Sequence, residues 1–186
     1  MHGWIVIDKP GGLSSAKVVG MVKHLTGALK VGHGGTLDPL ATGVLPIALG
    51  EATKTTNYAM QGVKHYKFTV RWGEARDTDD SEGKVILTSS QRPEHDEIRA
   101  VLPSFIGEIS QIPPKFSAIK IAGKRAYKLA RANEDIKIPP RQIKIINLKL
   151  LNSDLHTATF DIECGKGTYI RALARDLAVS LGTVGY

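Results

Sequence analysis

Apolar and polar positions change period several times along the chain, and each change predicts an element. Trp4 to Asp8 alternates and is rich in β-formers, so it reads as a strand, and the KPGG that follows reads as a turn. Ser14 or Ser15 then caps a helix whose apolar face is Val18, Val22 and Leu25, with Gly27 as its stop. Residues 30–43, KVGHGGTLDPLATG, hold four glycines and one proline and show no period, which predicts an ordered loop. Val44 to Leu49 reads as a short buried strand, and Lys64 to Trp72 as an alternating one with Tyr66, Phe68 and Val70 on one face. An acidic loop runs from Gly73 to Gly83, and Pro93 to Leu102 fits a helix opened by proline and acids. Phe116 to Ile121 predicts a strand followed by a short basic helix through Arg131. Gln142 to Leu151 and Thr157 to Cys164 are strand-like, separated by Asn-Ser-Asp turn residues. The last element is a helix from Tyr169 to Ser180 with Ile170, Leu173, Ala174 and Leu177 on one face. Strands and helices mix without regular βαβ alternation, so the expected class is α+β with a largely antiparallel sheet.

The length, 186 residues, suits one domain of ordinary size or one domain with a modest insertion, and 42% hydrophobic with 23% charged residues is a globular composition. No basic segment leads into a long apolar run, so the chain reads as soluble and cytoplasmic. The single cysteine, Cys164, has no partner for a disulfide and no metal-ligand spacing, and it is expected inside a strand. The net charge of +7 is unevenly spread. Residues 111–150 carry ten Lys or Arg against two acids, a net +8, interleaved with Phe116 and Tyr127. That pattern fits a phosphate-backbone surface with aromatic platforms, although charge alone suits a solvated basic face equally well.

Asp38 lies in GHGGTLDPLATG. An Asp before Pro among glycines is ordinarily a turn residue. Its company argues for more: Gly32, Gly34, Gly35 and Gly43 permit close backbone approach, while Leu37, Leu40 and Ala41 make the loop apolar. A carboxylate there would drift toward protonation by desolvation unless a cation is supplied. Arg171, in the first turn of the last helix, is the candidate cation, because the helix macrodipole disfavours a positive charge there and a buried carboxylate partner would rationalise it. Tyr66 is by default a core aromatic. His33 has no second ligand or triad partner nearby in sequence. The acidic RDTDDSEG departs from a calcium loop, since Glu82 and Thr88 stand where Gly and Glu are needed. Neither GxxxxGK[ST] nor GxGxxG occurs, so nothing supports a nucleotide cofactor.

Five blocks, GWIVIDKPGGLSS, GHGGTLDPLATGVLPIALGEATK, HYKFTVRWGEARDTDDSEG, IPPKFSAIKIAGKRAY and GTYIRALARDL, resemble in order the motifs of the TruB-type tRNA pseudouridine synthases. The resemblance implies the pseudouridine-synthase fold, no cofactor and no metal, and a monomer acting on the T-arm uridine of tRNA, position 55. It makes Asp38 the nucleophile, Tyr66 the residue that stacks on the target base and helps handle the C5 proton, and Arg171 the partner of the catalytic Asp. His33 matches a residue that props the opened loop, and Asp80 an acid that meets RNA after base flipping. Lys9 and Lys54 match basic RNA-binding residues of the KP and GEATK motifs. Lys115, Lys120, Lys124, Arg125 and Tyr127 fall on a mobile RNA-gripping insertion expected at residues 111–141. The family normally continues beyond this length, often into a PUA domain, so residues 1–186 are expected to be a catalytic domain incomplete at its C-terminus. Two other readings remain open: a non-catalytic RNA-binding or tRNA-folding module, and a dyskerin-like synthase that depends on guide RNA.

Overall fold

The computed structural model describes residues 1–121, 123–132, 134 and 136–186. The expected insertion at 111–141 runs through Ala122, Asn133 and Asp135, and there it lies outside the described residues. The chain divides into two compact units, Met1–Gly62 and Val63–Tyr186.

The first unit contains β1 (Gly3–Lys9), α1 (Ser15–Thr26), β2 (Val31–His33), β3 (Gly43–Leu49), a 3-10 helix (Gly50–Thr55) and α2 (Thr56–Gln61). Its antiparallel sheet has the order β1-β3-β2, with Trp4 opposite Ala48 and Lys9 opposite Gly43. Ser14 caps α1 by accepting the Lys17 N–H at 3.2 Å. Gly27 ends it in the left-handed region at φ 64, donating its N–H to the Lys23 carbonyl, a conformation that glycine adopts without steric cost. Val18 and Val22 pack on Leu45, Ile47 and Leu49 as expected. Leu25 does not join them. It is 79% exposed, and Ala28, beyond the helix, completes the cluster instead. The stretch 30–43, expected to be loop throughout, opens with β2. Three residues that include a glycine are too few to show a period, and the pairing partner on β3 is what makes them a strand.

The second unit contains β4 (Lys64–Arg71), β5 (Glu74–Arg76), β6 (Val85–Thr88), α3 (His95–Val101), a 3-10 turn (Leu102–Phe105), β7 (Gly107–Gln111), β8 (Lys120–Ile121), β9 (Lys124–Arg125), α4 (Ala126–Arg131), β10 (Arg141–Ser153), β11 (Thr157–Cys164) and α5 (Ile170–Ser180). The main sheet has the order β4-β11-β10-β7, and every pairing in it is antiparallel. Its inner face carries Val70, Phe160, Ile162 and Ile145, on which α5 lays Leu173, Leu177 and Ala178. Phe68 and Phe160 stack with ring centroids 5.2 Å apart. Cys164 is buried on β11, where desolvation pushes its thiol up. The helix expected from Pro93 starts two residues later, behind a capping box made by Glu94 and Glu97.

Two expectations change here. The acidic stretch after β4 is partly strand, since β5 and β6 pair as a hairpin. The strand expected over Phe116 to Ile121 is reduced to β8, because the preceding carbonyls go elsewhere: Phe116 accepts from the Arg171 guanidinium and Ser117 from the Tyr127 N–H. A backbone whose acceptors are occupied by side chains and by a helix start cannot also form a ladder.

Candidate functional site

Residues 37–41 carry Asp38 between β2 and β3 and belong to no strand or helix, so the first unit must satisfy their polar groups from outside. Lys9 does most of this. Its side chain is fully buried, and its ammonium donates to the carbonyls of Pro10 at 2.9 Å, Leu13 at 2.7 Å and Pro39 at 3.2 Å. The three N–H donors of an ammonium thus meet three acceptors. Ser15 pins the other side: its hydroxyl donates to the Leu37 carbonyl and accepts the Leu37 N–H, both at 2.9 Å. Gly12 donates its N–H to the Pro39 carbonyl at 2.8 Å, and Ala41 closes a turn on the Asp38 carbonyl at 3.1 Å. Asp38 is half-buried. Gly34 must be glycine, since a Cβ there would lie 2.9 Å from Ala59 and 3.3 Å from the Trp4 ring.

Lys9, matched to RNA binding through the KP motif, holds a fully enclosed ammonium with three carbonyl partners and so fastens the Asp38 loop. Lys54 is exposed and pairs with Glu51. His33 sits half-buried on β2, with its Nδ1 buried and without a hydrogen-bond partner among the described residues.

In the second unit, α5 points two arginines at the loop that follows β5. Arg171 donates to the Thr78 carbonyl at 2.6 Å and the Phe116 carbonyl at 3.1 Å, and lies 3.3 Å from Asp80 Oδ2. Within this unit the carboxylate beside the Arg171 guanidinium is Asp80. Asp80 also accepts from the Thr78 hydroxyl at 2.6 Å and the Glu82 N–H at 3.0 Å. One turn along, Arg175 donates to Asp79 Oδ2 at 2.7 Å and the Ile112 carbonyl at 2.8 Å, and it also pairs with Asp176. Asp79 holds a left-handed backbone at φ 58, the one non-glycine residue to do so among those described. Burial raises the carboxyls of Asp79 and Asp176, while Arg175 pulls both the other way.

Tyr66 lies on β4 opposite Ile162, half-buried against the edge of the core. Lys115, Lys120, Lys124 and Arg125 are exposed, and Tyr127 is half-buried with the Arg131 guanidinium 5.6 Å from its ring centroid. Sequence reasoning missed Arg175, Asp79 and the buried Gln111. The spacing of Arg171 and Arg175, four apart on a helix, was the available signal for the first, since such residues share a face.

The arrangement is that of a loop-borne carboxylate on a small sheet and an arginine-rich helix end on a larger one, in a mixed α+β chain. The sequence model described as TruB family pseudouridylate synthase, N-terminal domain, matches residues 23–170, and the chain belongs to that family. It is 58% identical over 183 residues to a tRNA pseudouridine synthase B of Bartonella henselae, which it covers to 57%, and 54% identical over 187 residues to that of Nitrobacter winogradskyi, covered to 52%. The chain thus spans between half and three fifths of the length of these relatives. Among solved structures, it resembles a chain of a Cbf5-Nop10-Gar1 complex with TM-score 0.73 and 30% identity, covering 99% of this chain and 46% of that one. It also resembles a chain of an H/ACA RNP bound to a substrate RNA containing 2'-deoxyuridine, with TM-score 0.71 and 27% identity, covering 99% and 44%.

Two outcomes follow from this geometry. Lys9→Met keeps the length of the side chain and removes all three donors; it should cost the first unit roughly 1–3 kcal/mol and speed amide exchange at Ala41, and unchanged exchange there would contradict the fastening role. Arg175→Gln should destabilise the second unit in a pH-dependent way. A carboxyl whose folded pKa is raised contributes stability below its unfolded value and loses it as pH rises through the folded value. Removing Arg175 raises Asp79 and Asp176 further, so the deficit against wild type should be small near about pH 4 and grow to roughly 1–3 kcal/mol at neutral pH. Urea unfolding at the two pH values measures it, and a deficit independent of pH would refute the assignment.

Proposed function

We propose that the chain is a tRNA pseudouridine synthase domain that isomerises the T-arm uridine, position 55, with Asp38 as nucleophile. What supports this above all is identity of 54–58% along essentially the whole chain to enzymes named tRNA pseudouridine synthase B, combined with a rigidly fastened loop under Asp38.

The reaction breaks the C1′–N1 bond of uridine, turns the uracil and joins C1′ to C5. The C5 proton leaves and N1 ends protonated, so nothing is oxidised or reduced. In this reading the Asp38 carboxylate adds to the substrate at C1′ or C6 and is later expelled, as a carboxylate nucleophile can be. The resemblance pairs Arg171 with the catalytic Asp, and a guanidinium favours the charged form of a carboxylate nucleophile. The uridine must leave its stack at a cost of a few kcal/mol, which stacking on Tyr66, worth about 1–3 kcal/mol, offsets in large part. Tyr66 also helps handle the C5 proton. His33 props the opened RNA loop, Asp80 meets RNA after flipping, and Lys54 meets the backbone. Lys115, Lys120, Lys124, Arg125 and Tyr127 grip it from the basic segment at 111–141. The protein works in the cytoplasm as a monomer.

The alternative that needs guide RNA and protein partners draws, for the partners, on the likeness to a chain of a Cbf5-Nop10-Gar1 complex, at 30% identity. The higher identity to the tRNA enzymes favours the stand-alone reading. Tritium release from C5-labelled uridine separates the possibilities: the purified chain should release label from a free T-arm stem-loop without partners. Release only with guide RNA would favour the other branch, and none at all would leave a binding module.

Asp38→Asn should abolish release while keeping RNA affinity within about twofold, because the side chain keeps its size and loses only its nucleophilic charge; a large affinity loss would contradict the role. Neutralising Lys115, Lys120 and Lys124 together should weaken binding and lower the slope of log affinity against log salt by roughly 0.7–0.9 for each phosphate that is no longer neutralised. An unchanged slope would remove that segment from the interface.

A further inference from the structure

Gln111 is 1% exposed, a costly place for a carboxamide unless every polar atom is used. Its amide nitrogen donates to the Tyr169 carbonyl at 3.2 Å, and its oxygen accepts the Tyr169 N–H at 2.9 Å. A carboxamide offers the same donor and acceptor pair as a peptide group, so Gln111 adds one rung of ladder to an extended residue, Tyr169 at φ −100 and ψ 110.

Three things meet at that rung. Tyr169 immediately precedes α5, and its carbonyl accepts the Leu173 N–H at 3.0 Å, so it starts the hydrogen bonding of the helix. Arg171 comes two residues later, reaching the Thr78 and Phe116 carbonyls and Asp80. Gln111 is also the last residue of β7 and pairs with Arg141, the first of β10, so it sits where both ends of the basic segment join the sheet. The Tyr169 side chain packs against Ile119, Ala126 and Ile138 of that segment.

We propose that Gln111 is a positioning residue: its carboxamide fixes the start of α5, and with it the aim of Arg171, against the root of the basic segment. No other side chain serves. Asn is one methylene short, and Glu lacks the donor while ionised. The consequence for turnover rests on the synthase reading above; the structural part does not.

The test uses the full chain with two substitutions. Gln111→Met keeps length and burial without hydrogen bonds. It should speed exchange of the Tyr169 amide by about tenfold or more and displace the Arg171 Nε–H signal in NMR spectra. In the tritium assay it should lower kcat by roughly ten- to a hundredfold with KM for tRNA within about threefold. Gln111→Glu keeps the shape and the acceptor, and regains an O–H donor only when protonated, which burial favours. Normalised to wild type at each pH, its Tyr169 protection, Arg171 signal and kcat should recover as pH falls from about 8 to about 5. A merely space-filling role would show no such recovery.

The inference is overturned if Gln111→Met deprotects Tyr169 while the Arg171 signal and kcat stay at wild-type values, or if Gln111→Glu is independent of pH. Should Gln111→Met fail to fold, the pH response of Gln111→Glu decides alone. Should wild type release no tritium, the synthase reading fails, and the Arg171 signal with Tyr169 exchange still decides the role of Gln111.

Discussion

The backbone of residues 37–41 has no strand or helix to satisfy it, and a half-buried polypeptide cannot leave its carbonyls unpaired. Lys9 resolves this with a charge placed where charges are ordinarily expensive. Three carbonyl dipoles converging on one ammonium offset its lost hydration, and they tie together the turn after β1, the approach to α1 and the Asp38 loop. An arginine would not fit, because its flat fork cannot meet three convergent acceptors. With Ser15 holding both polar groups of Leu37, the carboxylate-bearing loop is set by side chains from elements that precede it in the chain.

The second unit solves the same problem with the charges reversed. The loop after β5 is acidic and strained at Asp79, and α5 brings two guanidinium groups to it. Cations near a helix N-terminus oppose the macrodipole, so they are stable there only with carboxylates and carbonyls close by. Asp79, Asp80, Ile112, Phe116 and Thr78 supply these from separate stretches of chain. The acidic run that invites a metal reading is thereby occupied with arginines. Each buried cation is shared among several acceptors, so the ties within one loop are coupled rather than independent.

For the proposed chemistry, rigidity of this kind matters more than affinity. A nucleophile and its counter-ion acting on an extruded base must be held near attack geometry before the substrate arrives. Loops fastened by buried side-chain hydrogen bonds meet that need and leave the exposed basic segment to supply binding energy and salt dependence. Under the proposed function labour divides accordingly, with buried ties bearing on rate and surface lysines on affinity.

Much of this was legible in the sequence where local physics decides. The Ser14 cap and Gly27 stop of α1, the alternation of β4, the strand β11 and the apolar stripe of α5 are properties of neighbouring residues and appeared where expected. Five motif blocks in order also identified the family, because they span residues that chemistry constrains directly. What the sequence left open depends on distant partners. Residues 31–33 become a strand only by pairing with β3, and Phe116 leaves its predicted strand only because Arg171, 55 positions away, takes its carbonyl. No local pattern marks Lys9 as an internal fastener or Gln111 as a buried clamp. Burial and hydrogen-bond partnership are set by which segments the chain brings together, and no local pattern encodes that.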